Sequence, residues 1–314
     1  MRSEPVASAP ESGEDAPQIY RQMLVDMTAA GVPFLVGGGY AYALHTGIYR
    51  ETKDFDVFVR EADVPRVQEA HQRGGAEVEV FAPHWLAKAR RGPVYMDVIY
   101  SSGNGIATVD DLWFEHAPSA EVMGVPARIC PVEEMIWSKA FIMERERFDG
   151  GDVLHLLHEQ GHRLDWTRLA ARFGDHWRVL LAHLTLFGFV YPQRRNVVPD
   201  WVMAELVRRL RREQRQSPPR MAVCRGGLLS RSQYRVDVDQ WGYRDGRLPP
   251  DGRMTHADIA LWEQRRREDE KKSGGHRPHI THGDPDPLPA APPPVAEPVP
   301  DPPVDTARAP ARTG

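Results

Sequence analysis

Phe34-Leu35-Val36-Gly37-Gly38-Gly39-Tyr40 and, a short segment later, Lys53-Asp54-Phe55-Asp56-Val57-Phe58-Val59 hold the pattern from which the rest of the chain is read. Two apolar runs flank a triple glycine and a pair of aspartates one residue apart. Residues two apart on a strand point to the same face, so Asp54 and Asp56 aim at one spot while Phe55, Val57 and Val59 turn to the core. Glycines between a strand and a helix start let a ligand approach backbone N–H groups closely, where the helix dipole favours an anion. Backbone donors for phosphate and hard oxygen ligands for magnesium are together what holding a metal-bound triphosphate requires.

A third acid extends the pattern. Asp97 stands alone in the apolar run Val94-Tyr95-Met96-Asp97-Val98-Ile99, where an unpaired charge is expensive and a ligand or metal would account for it. Asp54, Asp56 and Asp97 would suit two magnesium ions about 3.5–4 Å apart, set for in-line phosphoryl displacement. Gly37 and Gly38 are the expected phosphate donors. Arg50 and Lys53, just ahead of the aspartates, would add positive charge against the polyphosphate.

Blander readings stand beside this one. The glycines can mark a tight turn, and the aspartates a solvated strand end. A dinucleotide-binding turn is the sharper rival, but the position of its third glycine is held by Tyr42, and it needs one acid rather than three.

The bulk numbers narrow the class. The chain has 314 residues and a net charge of −4, so no overall basic field calls for nucleic acid. Its 2 cysteines, Cys130 and Cys224, are far apart in sequence and make neither a disulfide framework nor a zinc spacing. A reducing, cytoplasmic setting is expected. Residues 1–15 lack the apolar centre of a signal peptide, and the apolar stretch near Val179–Tyr191 is too short to span a bilayer, so no membrane association is expected.

Periodicity predicts an α/β (α+β) protein with a small mixed-sheet core. Residues 1–15 read as a disordered leader and 16–130 as the α/β core. Within the core, helices are expected over 17–30 and 40–46 and from Asp63 to Arg73, with Asp63 as N-cap. Strands are expected over 33–36, 54–60, 77–81 and 94–100, with a hairpin around Gly124. Residues 131–215 form a helical domain with helices at 152–160, 165–172, 177–189 and 200–215, and Glu133 and Glu134 in the first turn of another. Residues 216–272 are a loop-rich extension closing in a charged helix from Thr255. Residues 273–314, with about a dozen of the chain's 28 prolines, read as a disordered tail.

These residues carry a family resemblance. Phe34-Leu35-Val36-Gly37-Gly38 followed by Asp54-Phe55-Asp56-Val57 resembles the nucleotidyltransferase superfamily with a polymerase β-like fold. The run through Arg50-Glu51-Thr52-Lys53, with Trp137-Ser138-Lys139-Ala140, Arg145 and Asp149-Gly150-Gly151-Asp152-Val153, is similar to its bacterial abortive-infection and toxin–antitoxin branch. The likeness covers roughly residues 18–160. It implies magnesium-dependent transfer of a nucleoside monophosphate from an NTP to an acceptor hydroxyl, the acceptor being tRNA, protein or a small molecule, with an antitoxin as possible partner. It implies that Asp97 completes the metal site and activates the acceptor, and that Lys139 contacts phosphate. The chain departs from the family pattern in having three glycines where a serine is usual. A non-catalytic nucleotide- or partner-binding regulatory module on the same fold is the alternative.

Among the remaining features, His155, His158 and His162 at helical spacing read as a polar helix side more readily than a metal face. Arg208, Arg209, Arg211, Arg212 and Arg215 read as a solvated basic helix end, and Trp241 and Tyr243 as packing residues.

Overall fold

Phe55 opens a strand with its ring between two tyrosines, Tyr20 with centroids 5.1 Å apart and Tyr40 at 4.9 Å. That contact joins the glycine segment, the aspartate strand and the first helix. The computed structural model describes residues 16–50, 54–92 and 94–272, with side chains to residue 264. The leader 1–15, the tail 273–314 and Lys53 lie outside the described residues.

The elements run α1 (Ala16–Ala29), β1 (Leu35–Val36), α2 (Gly38–Thr46), β2 (Phe55–Phe58), α3 (Val64–Arg73), β3 (Glu77–Ala82), β4 (Leu86–Arg91), β5 (Val94–Ile99), α4 (Asp111–Glu115), β6 (Ser119–Val122) and β7 (Val125–Ile129). Helices follow: α5 (Val132–Ala140), α6 (Gly150–Gln160), α7 (Trp166–Phe173), α8 (Trp177–Val190) and α9 (Asp200–Gln214). The last stretch holds β8 (Val223–Cys224), α10 (Arg235–Asp239), β9 (Arg244–Asp245) and α11 (His256–Lys272).

The first seven strands form one mixed sheet in the order β3-β4-β5-β2-β1-β7-β6. β2 lies parallel to β5, and β1 antiparallel to β2. α1 buries Tyr20, Met23, Leu24 and Met27, and packs with α3 over the face that carries Phe55, Val57, Met96 and Val98. Alternation therefore sends Asp56, Phe58, Asp97 and Ile99 to the other face. There α2, α5 and α6 pack together, and the sheet is left as the floor of a cleft.

Three expectations need correction. β4 was not expected: its apolar side is built from alanines, and Lys88 and Arg90 alternate with them. Asp63 stands at the start of α3, but its carboxylate makes no cap bond; it pairs with Arg66 at 2.9 Å and Arg60 at 3.5 Å. Trp241 and Tyr243 are exposed rather than packed.

His71 is a buried polar residue on α3, and among the described residues neither of its ring nitrogens has a hydrogen-bond partner. Burial pushes its pKa down to about 4; nearby Asp26 resists this and Arg91 reinforces it. The unfolded chain therefore binds a proton below about pH 6.5 that the folded chain refuses until about pH 4, so stability falls as pH drops through that window. The loss is roughly 3 kcal/mol. Melting temperatures measured between pH 7 and pH 4 should fall less steeply for His71→Leu than for wild type; equal slopes would show that His71 is solvated.

Candidate active site

β1 ends and α2 begins at the glycine turn. Gly38 adopts φ +53°, a left-handed conformation that glycine takes without steric cost, and a Cβ there would overlap Asp56 Oδ2. Gly37 is equally constrained, since a Cβ there would overlap the Phe58 ring. Its N–H donates to Asp56 O at 2.9 Å. The turn is thus pressed against the aspartate strand, and its glycines are not equivalent. Gly37 is buried with its N–H already used, whereas Gly38 and Gly39, in the first turn of α2, face the cleft.

That cleft has a volume of ≈ 530 Å³, within the range of small-molecule sites. Asp54, Asp56 and Asp97 all line it. Asp56 and Asp97 are register partners on the parallel strands β2 and β5, so two carboxylates sit side by side on one sheet face. Burial, together with the charges of Asp97 and Asp54, pushes the Asp56 pKa up to about 6, against the opposing pull of Lys139 and Arg147. Burial also raises Asp97, although the Lys88 ammonium at 2.7 Å pulls it back. Lys88 lies on the unexpected strand β4 opposite Asp97, which is why sequence reading missed it. The alternation Ala87-Lys88-Ala89-Arg90 was the available signal.

A second cluster forms the helical side. Lys139, in the last turn of α5, donates to Asp149 and Asp152 at 2.9 Å each, and Arg147 makes two 2.9 Å bonds to Asp149. Burial would raise Asp149, but the hydrogen bonds and charges of Arg147 and Lys139 outweigh it and hold the carboxyl below its usual range. Arg50 reaches Asp152 at 2.5 Å and Tyr42 Oη at 3.3 Å. Arg145, singled out in the sequence, is exposed and does not line the cleft; Arg147 does. His155 faces Tyr42 Oη at 2.9 Å and His158 faces Glu159 at 2.6 Å, so these histidines do not gather into a metal face.

Comparison with known proteins finds no matching family model and no matching curated protein. Solved structures do show likeness. The antibiotic-resistance factor ANT(2'')-Ia shares 16% identity over 53% of this chain and 95% of its own, with a TM-score of 0.37. An antigenic nucleotidyltransferase-like protein from Paracoccidioides brasiliensis shares 13% over 60% and 94%, TM-score 0.38. The lincosamide antibiotic adenylyltransferase LnuA shares 14% over 45% and 94%, TM-score 0.32. By name, one of these is an adenylyltransferase and one a nucleotidyltransferase-like protein. Each likeness is distant, and what the cleft of this chain can do follows from its own residues.

The donor set suits a hard divalent cation in kind, because it consists of carboxylate oxygens whose mutual repulsion a cation would relieve. As the side chains stand, Asp97 is taken by Lys88, and no group of three or more acids, histidines or cysteines among the described residues is drawn close enough to hold a metal. Asp56 gives the test of crowding. An acid with a raised folded pKa weakens the fold as pH rises from 3.8 to about 6. Asp56→Asn should therefore stabilise the protein by roughly 2–3 kcal/mol at pH 7.5, with the gain shrinking toward pH 4. Denaturant titrations at the two pH values measure this, and a destabilised variant at pH 7.5 would contradict it.

Proposed function

We propose that the protein is a nucleotidyltransferase: it moves a nucleoside monophosphate from an NTP to an acceptor hydroxyl and releases pyrophosphate. One observation carries the reading. Asp56, the register partner of Asp97 across β2 and β5, is in contact with a glycine turn whose next residues open a helix toward the same cleft. Phosphate oxygens would accept from the free N–H groups of Gly38 and Gly39 at the positive end of α2. Arg50, Lys139 and Arg147 would turn part of their charge from Asp149 and Asp152 to the polyphosphate.

Asp54, Asp56 and Asp97 would hold magnesium, which when bound supplies positive charge where the transferring phosphoryl group and leaving pyrophosphate gain negative charge. The acceptor oxygen forms its bond to the α-phosphorus as the bond from that phosphorus to the bridging oxygen breaks, and pyrophosphate leaves with the electron pair. Asp97, raised by burial, would take the proton that the acceptor hydroxyl loses. Within this class, the toxin-type or abortive-infection reading, with its antitoxin partner, is supported only by the segment holding Lys139, Asp149 and Asp152. Those three side chains share one ion-pair cluster.

Two measurements test the reading. Asp56→Ala should lower incorporation of α-labelled NTP into cell extract by about 10²–10³-fold, the usual cost of losing one electrostatic stabiliser, with an unchanged circular dichroism spectrum. Magnesium should raise the melting temperature of the wild type and not that of Asp56→Asn. Unchanged incorporation in Asp56→Ala would rule out the mechanism.

A further inference from the structure

One wall of the cleft comes from beyond the helical region. Leu228, Leu229, Arg231 and Trp262 line it. Several tethers fix that wall to the body of the protein. Asn104 Nδ2 donates to Leu228 O at 2.7 Å and Met143 N to Leu229 O at 3.1 Å. The Glu144 carboxylate accepts from Ser230 Oγ at 2.6 Å and from Arg231 N and Nε at 3.0 Å each. Glu263, next to Trp262 on α11, accepts at 2.9 Å from Arg247, a buried guanidinium that also grips Asp245. Trp262 lies against Gly103, where a Cβ would come within 2.6 Å of the indole Nε1. The Arg231 guanidinium stands 5.8 Å from its ring centroid.

The place of this wall gives it a role. The glycine turn meets β2 at Asp56, near the strand's start. β5 runs parallel to β2 and leads from Asp97 through Ile99 to Ser101–Asn104, on which Trp262 rests. The wall therefore stands toward the far end of the strands from Gly38 and Gly39, beyond the end of β5, the strand that carries Asp97. The polar atoms named above hold it in place, and the Arg231 charge is matched by Glu144. What it offers is an aromatic face. Over the whole cleft, six carboxylates (Asp54, Asp56, Asp97, Glu144, Asp149, Asp152) outnumber the four cations Arg50, Lys139, Arg147 and Arg231 among the described residues. With no surplus of positive charge, such a lining does not attract a second polyanion beside a metal-bound NTP.

We propose that residues 226–262 select the acceptor: the Trp262 indole is the surface on which a ring of a compact, uncharged or cationic hydroxyl compound packs within the cleft that Asp97 lines. This rests on the nucleotidyltransferase reading. Trp262 touches the acceptor, whereas Arg247 and Glu144 are positioning residues that hold the wall. Aromatic faces suit this task, since packing a ring against one costs little side-chain entropy and tolerates varied rings.

The test uses the full chain, magnesium and α-labelled NTP, with nucleosides, hexoses and aminosugars offered one at a time as acceptors. At least one should be labelled. For that acceptor, Trp262→Ala should raise KM roughly 10- to 100-fold, the scale of one lost stacking contact. The KM for NTP should stay unchanged, and Trp262→Phe should restore most of the loss. An unmoved acceptor KM in an active Trp262→Ala variant overturns the inference alone, as does a rise confined to the NTP KM. Labelling of tRNA or protein in cell extract, with every small acceptor unlabelled, overturns it too. A wild type that labels nothing overturns the transfer reading, and this inference with it.

Discussion

Asp56 and Asp97 stand side by side on adjacent parallel strands, two acids on a sheet face whose alternate residues, Phe55, Val57, Met96 and Val98, are packed under α1 and α3. The arrangement is costly. Burial and repulsion push Asp56 toward neutrality, and Lys88 relieves only Asp97. A sheet built only for stability would place apolar residues here. The glycine turn depends on the same spot, because Gly38 approaches Asp56 so closely that no side chain fits between them. The helical side faces these acids with Lys139, Arg147 and Arg50, held in reserve by Asp149 and Asp152. The cleft therefore holds opposed charges in two layers, as expected of a site that receives an anion and a cation together.

Much of the floor of this cleft was legible in the sequence. Period-two alternation separates Asp54 and Asp56 from Phe55 and Val57, and a single acid marks Asp97 inside an apolar strand. Glycine next to a strand announces a close approach, but not which N–H remains free. Gly37 spends its own on Asp56 O, a contact between segments almost twenty residues apart. β4 escaped notice because alanine carries a weak apolar signal, and with it went Lys88. Choosing Arg147 over Arg145 required knowing how the stretch between α5 and α6 turns.

The far wall was illegible for a different reason. Its elements are short: a two-residue strand pair and brief helices hold residues 223–245, so no period betrays them. What orders the segment is long-range, namely Glu144 with Arg231, Asn104 with Leu228 O, and Arg247 with Glu263. Such pairings join residues whose spacing in sequence carries no signal. Trp262 lines the cleft beside Glu263, which this network binds through Arg247.

The central claim is that the carboxylates on β2 and β5 are crowded so that a cation can relieve them. The most direct measurement is a carbon-13 NMR titration of the Asp56 carboxyl, with and without magnesium. The account predicts a midpoint near the value of about 6 without the ion and a drop toward or below 3.8 with it. An Asp56 that titrates at its ordinary value in the absence of metal, or whose midpoint magnesium leaves unmoved, would contradict it.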